Sequence, residues 1–252
     1  MRRVRIAPGL QPGDEIVLPR EVAHYITRVL RLQIGDELQA FDGVTSEYDL
    51  RLTAVSPVTV AGQVLRKWTK PPVSLTPLVL GQAIPKGSKM DLIVEKCSEL
   101  GLTTLVPLYT ERTVPRNIAG RVHEKLGRWH RIAAAAAKQC GRLTLLEIHN
   151  PMTLNQFCTD YQTSPVKLIC WEKEMRQSLS HSLDQQSGQR SVAVLVGPEG
   201  GWSEQEISLA QTHGFRTAHL GPLTLRTETA AMVVTSLIRY HLGDFELQRN
   251  PV

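Results

Sequence analysis

Two stretches of this chain combine residue types that let a backbone close around a small molecule. The first is Val194-Leu195-Val196-Gly197-Pro198-Glu199-Gly200-Gly201-Trp202-Ser203. The second is Ala218-His219-Leu220-Gly221-Pro222-Leu223-Thr224-Leu225-Arg226-Thr227-Glu228-Thr229-Ala230. Three glycines within five residues let main chain approach a ligand closely, and loop amides and carbonyls can read a planar heterocycle. A tight strand-to-helix turn uses glycine in the same way, so one such loop would carry little. Two of them, each following a short apolar run, carry more.

Other chemistries lack their residues. No Gly-x-Gly-x-x-Gly occurs, and Gly81-Gln82-Ala83-Ile84-Pro85-Lys86-Gly87-Ser88 has the Lys and Gly of a P-loop transposed. The eight histidines show no metal-ligand spacing, which predicts no metal site. No Gly-x-Ser-x-Gly elbow or Ser-His-Asp series is present. Cys97, Cys140, Cys158 and Cys170 form no Cys-x-x-Cys pair and read as buried free thiols of a reducing cytosol.

Charge marks a different region. Residues 112–142 carry eight bases (Arg112, Arg116, Arg121, Lys125, Arg128, Arg131, Lys138, Arg142) against the single acid Glu124. That excess of seven exceeds the net +5 of the whole 252-residue chain. Five consecutive alanines, Ala133 to Ala137, make the stretch a helix. At helical spacing Arg121, Lys125, Arg128, Arg131, Lys138 and Arg142 share an arc of roughly 140°. Val122, Leu126, Trp129, Ala133 and Ala137 form a separate apolar face. Solvated faces usually mix both signs, whereas one sign dominates here, which predicts a polyanion-binding surface. The alanine-rich inner face argues against a membrane surface.

The elements that must position these groups fall into two blocks. Up to residue 70, Glu37–Phe41, Tyr48–Ala54 and Thr59–Trp68 alternate as half-buried strands, with a turn at Asp42-Gly43 and a helix over Glu21–Arg31. Pro71-Pro72 breaks the pattern. Strand–helix alternation follows. Strands are expected over 75–82, 103–109, 143–148, 166–171, 192–197 and 217–220, and helices over 90–100, 121–140, 154–161 and 203–214. Ser203 to Glu206 reads as a capping box, with Gly214 as the helix stop. A final helix over 228–242 is apolar nearly all round, so a sheet or a second subunit must cover it. The class is α/β with a mostly parallel sheet. No run reaches the ~18 apolar residues of a membrane span, and the N-terminal residues read as no secretion signal.

The chain resembles the ribosomal RNA small subunit methyltransferase E family of the SPOUT superfamily. The resemblance rests on Gly197-Pro198-Glu199-Gly200-Gly201 and on Leu225-Arg226-Thr227-Glu228-Thr229-Ala230. It also rests on Lys96-Cys97-Ser98-Glu99-Leu100-Gly101 and on Val29-Leu30-Arg31 after His24. Leu223-Thr224 depart from the Arg-Ile of the family pattern, and Lys138-Gln139 from Glu-Gln.

The resemblance implies a PUA-like β-barrel over 1–72 that helps to hold RNA. It implies a SPOUT methyltransferase domain over 73–252, with a trefoil knot, cofactor binding and homodimerisation. The implied reaction is methyl transfer from S-adenosylmethionine to N3 of uridine 1498 of 16S rRNA in the small ribosomal subunit, in the cytoplasm. Cofactor contacts are implied for Gly197, Glu199, Gly200, Leu220, Gly221, Leu225, Thr229 and Ala230. Arg226 and Glu228 are the catalytic candidates, with Arg226 on the developing uracil oxyanion and Glu228 orienting it or taking the N3 proton. Glu199 is the reserve base. Arg28, Arg31, Arg112, Arg121, Lys125, Arg128, Arg131 and Arg142 are the candidate RNA contacts. A SPOUT enzyme for another RNA, or a non-catalytic RNA-binding assembly factor, would share parts of this pattern.

Overall fold

The structure, a computed structural model, describes residues 3–69, 75–113, 122–184 and 191–245. Arg116 and Arg121 lie outside these residues. The chain forms two compact units, Met1–Ser74 with Ala134–Leu145, and Leu75–Ala133 with Leu146–Val252. The boundary expected near residue 72 lies close to the Ser74–Leu75 division, and Ala134–Leu145 groups with the first unit in addition.

The first unit contains β1 (Arg3–Arg5), β2 (Glu15–Val17), α1 (Arg20–His24), β3 (Glu37–Phe41), β4 (Ser46–Val55) and β5 (Val60–Thr69). Their order in the sheet is β1-β3-β4-β5-β2, antiparallel except for β1 beside β3. Alternation sets the faces, since Tyr48, Leu50 and Leu52 are buried while their neighbours along β4 are not. The helix expected over 21–31 forms as α1 continued by a wider π-helical stretch from Tyr25 to Leu30. There the Thr27 hydroxyl donates to the Ala23 carbonyl (2.9 Å), competing with the backbone ladder. Arg31 ends the stretch at φ +53°, the one non-glycine residue with positive φ among the described residues. Arg3 is fully buried in this unit, paired with Glu47 (3.0 Å) and stacked on Phe41.

The second unit contains β6 (Leu78–Ala83), α2 (Lys89–Glu99), β7 (Thr104–Tyr109), α3 (Val122–Cys140, which ends in the first unit), β8 (Glu147–Ile148), β9 (Met152–Thr153) and α4 (Leu154–Asp160). It continues through β10 (Val166–Cys170), α5 (Leu179–Asp184), β11 (Val192–Val196), α6 (Glu204–Thr212), β12 (Arg216–Ala218) and α7 (Thr227–His241). The sheet is parallel throughout, in the order β12-β10-β11-β6-β7-β8, with β9 also on β7. Both faces are covered, as a parallel sheet requires. Leu78, Leu80, Val192, Val194 and Val196 face one core with α2, α3, α5 and α7. Val79, Ala193 and Leu195 face another with α4 and α6.

Several expectations change. β1, β2, β9 and α5 had no clear signal, and the strand expected over 143–148 shrinks to Glu147–Ile148. Cys140 is exposed, unlike Cys97, Cys158 and Cys170. Only one side of α7 is buried (Ala231, Val234, Ile238), while Leu237 and Tyr240 are exposed. Among the described residues no helix is long and apolar enough to cross a membrane.

Candidate functional site

A cavity of about 760 Å³ opens beyond the carboxyl ends of β10, β11 and β12. This is where parallel α/β sheets place ligands, and the volume falls in the range small-molecule sites occupy. Gly197, Glu199, Gly200, Leu220, Gly221, Leu225, Ala230 and Arg226 all line it. Val196, Leu220, Leu225 and Ala230 give it apolar walls, with residues of three loops between them.

The glycines have distinct local reasons. Gly201 has φ +69°, and a Cβ there would lie 2.6 Å from Glu172 Oε1. At Gly197 a Cβ would meet the Trp202 indole at 3.1 Å. That indole is buried and donates to the Cys170 carbonyl (3.0 Å), tying the β10 end to the loop after β11. Gly200 has ordinary φ, and its Cβ would meet the side chain of Arg112 at 3.3 Å. The Arg112 guanidinium donates to the Gly200 carbonyl (2.7 Å).

Ser203 caps α6 by accepting from the Glu206 N–H (3.2 Å), as its sequence predicts. At the start of α7, the Thr227 hydroxyl donates to the Gly197 carbonyl (2.6 Å) and accepts from Gln82 Nε2 (2.9 Å). Both groups are buried, so the first turn of α7, the loop after β11 and the end of β6 are fastened together.

Charges are arranged less simply than the sequence suggests. Arg226 occupies the N-cap position of α7 and is exposed; its carbonyl accepts from the Ala230 N–H (2.8 Å), while its side chain makes no hydrogen bond or ion pair among the described residues. Glu228 does not orient it, and this corrects the expected pair. Side chains two apart at a helix start do not face each other. Glu228 instead lies 3.6 Å from Lys89 Nζ and outside the cavity lining. Thr229 is also outside the lining, exposed on α7.

The Glu199 carboxylate accepts from Lys89 Nζ (2.8 Å) and from the Lys86 N–H (3.1 Å). Burial works to raise its pKa, but the ammonium and the N–H groups hold it below the usual carboxylate range. Glu174 is held low by the Thr217 hydroxyl (2.6 Å) and by the N–H of Arg176. No group of His, Cys, Asp or Glu suited to a metal ion occurs among the described residues.

The candidate RNA contacts fall in both units. Arg28 and Arg31 are exposed in the first, where Arg142 is half-buried. In the second, Lys125 is half-buried, Arg131 is exposed, and Arg128 pairs with Asp91 (2.8 Å). Lys138 departs from the expected basic face, since its ammonium lies 3.3 Å above the Tyr25 ring. Sequence reasoning missed Trp171, Glu172, Glu174 and Met175 of the lining, together with Gln82 and Lys89 behind it. The apolar run of β10 was visible, but nothing after it resembled a glycine loop.

Residues 72–239 match the RNA methyltransferase domain family, and residues 18–65 the RNA methyltransferase PUA domain family. The ribosomal RNA small subunit methyltransferase E of Synechocystis is 34% identical over 94% of this chain and 76% of its own. The protein of that name from Buchnera aphidicola is 29% identical, over 97% of this chain and 95% of its own. A crystal structure of the same-named enzyme of Neisseria gonorrhoeae bound to S-adenosyl methionine gives a TM-score of 0.87 at 29% identity, covering 98% of this chain and all of that one. A methyltransferase of Legionella pneumophila in complex with the cofactor gives 0.88 at 31% identity, covering 95% of this chain and 97% of that one.

Proposed function

We propose, from the premise that this chain belongs to the ribosomal RNA small subunit methyltransferase E family, that it methylates N3 of uridine 1498 in 16S rRNA of the small ribosomal subunit. S-adenosylmethionine is its cofactor and, when bound, supplies a methyl group activated by a cationic sulfonium. The residues present fit it. The glycine-lined cradle leaves room for a planar base, since a Cβ on Gly221 would meet nothing within 4 Å. Gly197, Gly200, Leu220, Gly221, Leu225 and Ala230 would hold the cofactor, with Glu199 contributing backbone because its carboxylate is committed to Lys89. The Glu172 carboxylate, unpartnered among the described residues, offers negative charge to its cationic end.

One observation carries the chemistry: Arg226 is the only Lys or Arg of the described lining, and it is unpaired. Uracil N3 bears a proton at neutral pH, and its lone pair becomes available once that proton leaves. Charge then spreads onto the carbonyl oxygens, where a positioned guanidinium stabilises it relative to the protonated base, so that the reactive anion is easier to reach. Glu228 enters as a charge held by Lys89 rather than as the partner of Arg226. Glu199 and Glu228 both face that ammonium, so the proton passes to solvent, and Arg226 lowers the cost of its loss.

The first unit and the basic face of α3 would hold the rRNA. The insertion of β11 between β6 and β10 supports a knotted chain path, and the exposed Leu237 and Tyr240 of α7 support a homodimer. The setting is the cytoplasm, where small subunits assemble. The test is to map modified nucleosides in 16S rRNA from cells lacking the gene. Loss of N3-methyluridine at position 1498 alone, restored by the intact chain, is expected. An unchanged position 1498 overturns the assignment.

A further inference from the structure

Three carboxylates, Glu172, Glu174 and Glu199, share the cavity lining with Arg226. The Arg226 side chain pairs with none of them among the described residues. Two of the carboxylates are already engaged. Glu174 accepts from the Thr217 hydroxyl and from the N–H groups of Arg176 (2.7 Å) and Gln177 (3.1 Å). Glu199 accepts from Lys89 Nζ at 2.8 Å.

A fourth carboxylate, Glu228, follows Arg226 by two residues. Its Oε2 is buried without a hydrogen bond and lies 3.6 Å from that same ammonium. Lys89, on the first turn of α2 and outside the lining, thus faces both acidic groups of the two motif loops. A compact ammonium with three rotatable donors suits a position between two carboxylates.

We infer that Lys89 is a positioning residue for the transfer step: by holding Glu199 and Glu228 it keeps both carboxylates off Arg226 and leaves that guanidinium free for the uracil oxygens. This rests on the role proposed above for Arg226. Without Lys89, Glu199 and the largely buried Glu228 would lose the ammonium they share, and Arg226 is the one Lys or Arg of the described lining that could take its place. Coulombic attraction would draw it inward, and the site would lose its donor with every lining residue intact.

The test is a double-mutant cycle on the full chain, reading single-turnover methyl transfer to unmethylated small subunits at saturating S-adenosylmethionine. Lys89→Met should slow transfer by on the order of 10-fold, bounded by the ~100-fold expected from losing a charge-stabilising donor outright. Lys89→Arg should keep most of the rate, and cofactor affinity measured by calorimetry should barely move. In the Arg226→Ala background Lys89→Met should cost nothing further, within about 2-fold, because it acts only through Arg226. A wild-type rate in Lys89→Met overturns the inference. So does an equal slowing in both backgrounds, which would mean that Lys89 acts on its own. If Lys89→Met does not fold, Lys89→Gln takes its place in the same cycle. Arg226→Ala at the wild-type rate is a separate result that strikes the catalytic assignment itself.

Discussion

Around the cavity, polar groups find partners far away along the chain. Glu199 and Lys89 are 110 positions apart, Gly200 and Arg112 88, and Gln82 and Thr227 145. Along the basic face of α3 the pattern reverses. Arg131 reaches only the Gly127 carbonyl four residues back, and Lys125 has no partner among the described residues. Arg128, paired with Asp91, is the exception. A site for a small molecule must have its shape before the ligand arrives, so its groups lock one another. A surface for a polyanion needs the opposite, charges left unspent for phosphates to neutralise. Damage should therefore be severe and coupled in the first region, and mild and additive in the second.

The largest effect is expected at Arg226. Arg226→Ala should slow single-turnover transfer by ~100-fold with cofactor affinity little changed. Arg226→Lys should recover little, since an ammonium lacks the planar fork. A near-normal rate would place the cavity among sites that bind without stabilising charge.

Next comes a contrast between adjacent glycines. Gly201→Val forces a β-branched residue to φ +69° with its Cβ 2.6 Å from Glu172 Oε1. The backbone strain alone is about 1–2 kcal/mol, so both thermal stability and cofactor affinity should fall. Gly200→Val meets only the flexible Arg112 side chain at ordinary φ and should cost much less stability. Equal melting temperatures for the two variants would break the idea that this loop is locked.

Thr227→Val removes one hydroxyl and strands the Gly197 carbonyl and the Gln82 amide. It should cost about 1 kcal/mol by denaturant titration. Smallest are the single charges of α3. Lys125→Ala and Arg131→Ala should each flatten the salt dependence of RNA binding by about one unit, and their effects should add. Arg128→Ala should change it less, because Asp91 already shares that charge. Strong non-additivity between Lys125 and Arg131 would make α3 a second locked site.

Those contrasts track what the sequence could disclose. Alternation along Tyr48–Ala54 and the buried runs of β6 and β11 announce their strands, and Ser203 with Glu206 announces α6, because each signal is local. The glycines of the two loops announce a cavity for the same reason. β1 and β2, three residues each, are too short for any period to show, and they exist because β3 and β5 offer them edges. The widening over Tyr25–Leu30 and the reversal at Arg31 leave no periodic trace. At the site, Arg226 was visible in its motif, but Lys89 looked like one more surface lysine until folding set it against Glu199 and Glu228. Glu228 was assigned to Arg226 by nearness in sequence, which a helix start does not convert into nearness in space.

The uneven burial of the four cysteines gives the molecule a built-in reporter. Burial pushes the Cys97, Cys158 and Cys170 thiols up to about 12, so at neutral pH they stay protonated as well as enclosed. Cys140 alone is exposed, at the last residue of α3. A maleimide dye added to the native chain will therefore attach at one place, with no residue altered. Attached there, it stands at the end of the basic helix, so that a change in its emission on adding small ribosomal subunits would report whether this helix meets them, separately from methyl transfer.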